Sequence, residues 1–92
     1  MVQFTWHPAK ARQNLRKHRV SFDEATTVFE DPLARIHSDP DHSSEEWREI
    51  IVGHSRSGKL LLVSFSERSS IVRIITARMP DAEERQEYEE SS

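Results

Sequence analysis

The run Ile71-Val72-Arg73-Ile74-Ile75-Thr76-Ala77-Arg78 constrains this chain most. Its β-branched side chains suit a pleated, half-buried strand, and two arginines ride on it. Two further strand candidates precede it, residues 47–54 and 59–66, and the links between the three are short. Such links join neighbouring antiparallel strands, so this part of the chain reads as a three-strand meander. Ser57-Gly58 supplies the first tight turn and Ser69-Ser70 the second, the latter with weaker turn chemistry. The residues ahead of the meander are expected to cover the sheet, and the segment from Asp81 onward reads as a helix leaving it.

The turns imply a register. A two-residue turn at 69–70 sets Arg68 opposite Ile71, Ser66 opposite Arg73 and Phe65 opposite Ile74. A two-residue turn at 57–58 sets Leu61 opposite His54, Val63 opposite Val52, Phe65 opposite Ile50 and Glu67 opposite Arg48. Alternate residues face opposite ways. One face then collects Ile50, Val52, Leu61, Val63, Phe65, Val72 and Ile74 as a core. The other collects Trp47, Glu49, Ile51, Ser64, Ser66, Arg68, Ile71, Arg73 and Ile75. Strict alternation sends Arg78 to the core face, where an unpaired guanidinium is costly unless the strand ends or bulges first. The strand is expected to end near Ala77, with Arg78 swinging out at the sheet's edge.

Upstream, residues 2–6 alternate as a short strand with Phe4 and Trp6 on one side. Pro8 suits the first turn of a helix, which runs to about His18 with a basic surface and few apolar positions, chiefly Ala11 and Leu15. Ser21-Phe22-Asp23-Glu24 is a capping-box pattern. It opens a second helix, apolar at Phe22, Ala25, Val28 and Phe29, that stops near Asp31 ahead of Pro32. Residues 33–36 extend briefly and 38–44 are turn-rich. His37, Asp39, Asp41 and His42 are metal-ligand types, but no rigid element fixes their geometry. A solvated loop is expected there, and no metal or cofactor. After Met79-Pro80, Asp81 caps a last helix with Glu84 at the third position. That helix has little to pack with beyond Ala82 and Tyr88.

A chain of 92 residues makes one domain, residues 1–92, with 81–92 as an acidic C-terminal helix and tail. The class is α+β: an antiparallel sheet of the N-terminal strand plus the meander, two N-terminal helices on one face, and a C-terminal helix. Apolar residues make up only 35%, so the core is small or is completed by a partner. The absence of cysteine excludes disulfides, thiolate chemistry and cysteine zinc sites. No apolar run approaches a bilayer span and the N-terminus lacks a signal-peptide pattern. A soluble cytoplasmic protein with no membrane partner is expected. The net charge of −3 hides an asymmetry: residues 79–92 carry six acids against Arg85 alone, leaving a net +2 for residues 1–78. Residues 1–22 hold five basic residues and no acid. This fits an anion-facing N-terminal half beside an acidic tail, or two ordinary solvated helix faces.

Residues along nearly the whole chain carry a resemblance. They are Phe4-x-Trp6, Lys10, Asn14, Lys17-His18, Val20-Ser21-Phe22-x-Glu24-Ala25, Phe29, Asp39…His42…Glu46-x-Arg48 and Gly53, followed by Arg73-Ile74-Ile75-Thr76-Ala77-Arg78 and Glu84-Arg85…Tyr88. Together and in this order they resemble the BrnT toxin family. Three positions depart from the family pattern: His7 stands where Asp is usual, Arg19 where Gly is usual, and Thr76 where Ser is usual. The resemblance implies a RelE-like fold and a bacterial type II toxin acting as a ribonuclease that blocks translation. It also implies neutralisation by a BrnA-like antitoxin with a ribbon-helix-helix DNA-binding domain, so that DNA is met only indirectly, through the antitoxin.

Metal-independent RNA cleavage requires an activated 2′-OH, a stabilised phosphorane and a protonated leaving oxygen. Arginine suits the second task, because its planar fork binds phosphate oxygens and stays charged. The candidate catalytic residues are Arg68, Arg73, Arg78 and Glu67, with Glu67 or Glu49 as base. The candidate RNA-binding residues are Lys17, His18, Trp47, Arg48 and Tyr88, with Trp47 stacking a base. Bland roles stand beside these: a helix-end histidine for His18, a packing tyrosine for Tyr88, and a cross-strand pair with Glu67 for Arg48. A solvated face is the bland role for Arg68 and Arg73. The alternative function is a non-catalytic module that docks a partner protein through its open sheet face and acidic last helix.

Overall fold

The computed structural model describes residues 2–39 and 47–91. In chain order the elements are β1 (Gln3–Thr5), α1 (Pro8–His18), α2 (Phe22–Thr27) running into a 3-10 turn (Val28–Glu30), and β2 (Arg35–Ser38). They continue with β3 (Glu49–His54), β4 (Leu60–Arg68), β5 (Ile71–Arg78) and α3 (Ala82–Glu90). The strands form one sheet in the order β1-β5-β4-β3-β2. The meander is present, but the sheet has five strands and is mixed rather than antiparallel, because β1 runs parallel to β5. The additional strand is β2, which pairs with β3 although all four of its residues are exposed.

Local chemistry accounts for the helix ends. His7 accepts the Ala9 N–H on Nδ1 at 3.1 Å, doing the capping work of an aspartate. Arg19 closes α1 in the left-handed conformation (φ 60°), with its N–H on the Leu15 carbonyl at 2.9 Å. A glycine reaches that conformation without strain. Two of the three departures from the family pattern therefore preserve the backbone. Ser21 Oγ accepts the Glu24 N–H at 3.0 Å as expected, but Glu24 does not complete a capping box. Its carboxylate accepts instead from Ser55 Oγ (2.7 Å) and Ser57 Oγ (2.6 Å), tying α2 to the β3–β4 loop. In α3 the box is complete, between Asp81 and Glu84.

The β4–β5 register agrees with the expected one: Arg68 faces Ile71, Ser66 faces Arg73 and Phe65 faces Ile74. The β3–β4 register is one residue off. Ile51 pairs with Val63, Val52 with Leu62 and Gly53 with Leu61, so β3 is turned over relative to the expectation. The link there is five residues, 55–59, with Ser55 N–H on the Lys59 carbonyl and Gly58 at φ 89°. Gly53 fits this arrangement, since a Cβ there would lie 2.8 Å from Ala34 Cβ and 3.0 Å from Asp31 Oδ2.

The core follows from that pairing. Val20, Phe22, Ala25 and Val28 pack on Ile51, Leu61, Val63, Phe65, Val72, Ile74 and Ala77. Phe29 stacks edge-on between Phe4 and Phe65. On the opposite face Tyr88 of α3 packs on Val52, Leu60 and Leu62. Each face therefore has its own cluster, and β4 is buried on both sides from Leu60 to Phe65.

At the β4–β5 turn Ser69 (φ 52°) and Ser70 (φ 66°) both take left-handed backbone, the geometry that favours Asn-Gly. The double replacement Ser69→Asn with Ser70→Gly is expected to stabilise the fold by about 1 kcal/mol. A denaturant titration would show it as a raised midpoint at unchanged slope.

Candidate functional site

A single irregularity in β5 decides where its arginines point. The β4–β5 ladder passes from Phe65↔Ile74 to Ser64↔Thr76, leaving Ile75 as an extra residue. This β-bulge reverses the alternation beyond it. The strand does not end at Ala77 but runs to Arg78, which lies opposite Leu62, while Arg73 lies opposite Ser66. Leu62 and Ser66 are on the same side of β4, so Arg73 and Arg78 share the face away from α1 and α2. Arg68, exposed and paired with Ile71, belongs to this face too. Their partners Ser66 and Leu62 are four residues apart on β4, so Arg73 and Arg78 stand about 13 Å apart along the sheet, at about 3.3 Å per residue. Arg68, Arg73 and Arg78 thus form a row that spans several phosphates rather than a clamp on one.

The far end of the row is tightly built. Arg78 gives Nη1 and Nη2 to the two Glu84 oxygens at 2.8 and 2.9 Å, and Nη1 also reaches the Met79 carbonyl at 3.3 Å. The pair lowers the Glu84 carboxyl to about 2, with the Arg78 hydrogen bonds as the largest cause. Just before Arg78, Ala77 is held by Asn14 of α1. Its N–H donates to Asn14 Oδ1 at 3.1 Å, and its carbonyl accepts from Nδ2 at 2.7 Å. Nδ2 also donates to the Val20 carbonyl at 3.1 Å. β1 pairs only with Ile71 to Arg73, so this one buried amide takes the place of a neighbouring strand at the end of β5.

The same contact brings the end of α1 to the arginine row. His18, its last residue, is half-buried, and Lys17 beside it is exposed. The His18 pKa lies below 6.5, mainly through burial, with the Lys17 and Arg78 charges adding to it. His18 therefore offers an uncharged imidazole at neutral pH. The unfolded chain takes up this proton more readily than the folded one, so His18 draws stability away as pH falls through 6.5. Unfolding midpoints measured between about pH 7.5 and 5.5 are expected to fall less in His18→Gln than in the wild type.

α3 crosses this face and leaves a cleft of about 690 Å³ between itself and the sheet. Arg78, Thr76, Ser64 and Leu62 line its floor, Arg35 and His37 of β2 one rim, and Glu83, Glu84 and Glu87 the other. Arg35 Nη2 donates to the Ser91 carbonyl at the end of α3. With Tyr88 in the middle and Arg78–Glu84 at the start, α3 is anchored along its length. Arg35 is not an expected site residue, and His37 stands out in the sequence only as a metal-ligand type. The signal for the strand that places them is the short extended stretch at 33–36, which runs on to Ser38 through pairing with β3.

The remaining candidates scatter. Glu67 pairs with Val72 and lines a small apolar pocket with Phe4, Phe29 and Phe65 on the helix-covered side. Glu49 pairs with Phe65 and faces the same way. Neither carboxylate shares the arginine face, whereas His18 lies close enough to Arg78 to feel its charge and is a base candidate. The slipped register also removes the Arg48–Glu67 pair. Arg48 precedes β3, its carbonyl accepting from Asp39 N–H at 3.1 Å, and its buried Nε has no hydrogen-bond partner among the described residues. Trp47 is 57% exposed at the same corner. Tyr88 is buried, rests against the His54 ring at 6.0 Å and donates to the Leu33 carbonyl at 3.5 Å. Burial raises its pKa, and it fills the packing role. Of the four metal-ligand types, Asp41 and His42 lie outside the described residues. Among the described residues no cluster of three ligand side chains is suited to a metal ion, and no helix is long and apolar enough to cross a membrane.

This architecture matches a known protein. The crystal structure of the Brucella abortus ribonuclease toxin BrnT superposes with a TM-score of 0.67 at 17% identity, covering 88% of this chain and 99% of that one. At that identity the likeness establishes the fold. A comparison with curated proteins gives no match. A family model described as "Ribonuclease toxin, BrnT, of type II toxin-antitoxin system" matches residues 6–84, a span that takes in the bulged strand and the Arg78–Glu84 pair. The chain belongs to the BrnT family of type II toxin–antitoxin ribonuclease toxins.

Proposed function

We propose that this chain is an endoribonuclease toxin that cleaves RNA without a metal ion and so blocks translation. Its inhibitor in this reading is a BrnA-like antitoxin with a ribbon-helix-helix domain. The observation that carries the reading is the bulge at Ile75, which brings Arg78 onto the face that Arg68 and Arg73 already share. A row of fixed cations follows a phosphate backbone and stabilises the charge that grows on a phosphorane. In this reading the uncharged His18 takes the 2′-OH proton, and the 2′-oxygen attacks phosphorus. The P–O5′ bond breaks, leaving a 2′,3′-cyclic phosphate and, once protonated, a 5′-hydroxyl. Lys17 holds a neighbouring phosphate and Trp47 stacks a base.

A second reading, a protein-docking module without catalysis, draws on the exposed carboxylates Glu83, Glu87, Glu89 and Glu90 of α3, which repel RNA and suit a basic segment. Induced expression in a bacterium separates the two. The toxin reading expects growth arrest with falling amino-acid incorporation, relieved by a co-expressed antitoxin and lost in Arg73→Ala. Unimpaired growth with soluble wild-type protein would favour the docking module.

A further inference from the structure

The acidic helix α3 is awkward for an RNA-binding face, yet its Glu84 holds an arginine of the row. The hydrogen-bond geometry accounts for this. A guanidinium has five N–H donors and two edges able to grip a pair of oxygens, one through Nη1 and Nη2, the other through Nη2 and Nε. Glu84 takes the first edge, and the Met79 carbonyl takes the outer hydrogen of Nη1. Nη1 is thereby saturated. The second hydrogen of Nη2 and the Nε hydrogen, which form the other edge, have no hydrogen-bond partner among the described residues. Glu84 is itself fixed: its Oε1 accepts the Asp81 N–H at 2.9 Å, and its own N–H donates to Asp81 Oδ1 at 2.8 Å.

The geometry points to Glu84 as a positioning residue that holds Arg78 by one edge so that the other is presented to a substrate phosphate. This rests on the ribonuclease reading and deepens it, because it makes α3 part of the machinery instead of a cover over it. The Glu84 carboxyl at about 2 stays ionised throughout any working pH range, so the grip itself adds no pH dependence. Lysine at position 78 would keep the charge and lose both edges.

The test is a double-mutant cycle on the full chain with Glu84→Gln, Arg78→Ala and the pair, reading kcat and KM on a defined RNA. Glu84→Gln is expected to lower kcat by about 10- to 100-fold. In the Arg78→Ala background it is expected to change nothing further, and Arg78→Lys is expected to behave like Arg78→Ala. A purely structural role predicts equal losses in both backgrounds, and a competing role predicts that Glu84→Gln cleaves faster than wild type. Either result overturns the proposal. A second arm needs no cleavage: the Arg78 Nε–H signal in a ¹⁵N spectrum, identified by its absence in Arg78→Lys, is followed as inorganic phosphate is added. It is expected to shift in wild type and to respond at least 10-fold more weakly in Glu84→Gln. An unmoved wild-type signal overturns the positioning role. Absence of cleavage beside a shifting signal would fail only the ribonuclease reading.

Discussion

Arg78→Ala is expected to reduce RNA cleavage by about 10²- to 10³-fold, the cost of removing one preorganised donor from a charged transition state. Its toxicity on expression should disappear with it. The loss should come without unfolding. The Arg78 and Glu84 side chains are 35% and 30% exposed, so water screens the pair and its stability contribution is at most about 1 kcal/mol. Without Arg78, Glu84 keeps its place in the Asp81 capping box. The Glu84 pKa is depressed in the folded state, so the pair's contribution is present above pH 4.5 and is lost as the pH falls toward about 2. The variant should lack that part of the acid limb, which unfolding midpoints taken alongside the cleavage assay would show.

Asn14→Ala is expected to destabilise the fold by about 3 kcal/mol. The Asn14 side chain is buried and makes three hydrogen bonds, two of them to Ala77, 63 residues away in sequence. Each is worth about 1 kcal/mol net, and truncation leaves the Ala77 N–H and two carbonyls dry and unpaired. Against a typical total of about 5–15 kcal/mol, this is a large share. A urea titration should show a lower midpoint at an unchanged slope. Ala77 adjoins Arg78 and Asn14 lies one turn before His18, so the surviving folded fraction should also cleave more slowly.

The elements that were legible in the sequence are those with strictly local causes. The Ser21 and Asp81 caps, Pro8 at a helix start and the turn at 69–70 each act within a few residues, and all are present. The β3–β4 register was not legible, because Ile50-Ile51-Val52 and Leu60-Leu61-Leu62-Val63 offer apolar side chains to either face. Pattern alone does not penalise the slip; the 55–59 loop and the Gly53 approach to Ala34 decide it. The bulge was hidden for the same reason, since Ile74 and Ile75 are interchangeable to a pattern. That hidden residue governs the candidate site, as it brings Arg78 to the side of Arg73. β2 and the parallel docking of β1 depend on partners distant in sequence and leave little local trace. Glu67 is a base candidate by residue type alone, yet it adjoins Arg68 on β4 and adjacent strand residues point oppositely.

That the arginine row of β4 and β5 forms a ribonuclease site is tested most directly on a defined RNA. The purified protein is incubated with it, chelator present, beside a folded Arg73→Ala variant. Wild type is expected to yield fragments ending in a 2′,3′-cyclic phosphate, and the variant to leave the RNA intact. Equal cleavage by a folded Arg73→Ala protein would contradict this and move the chemistry off the bulged strand.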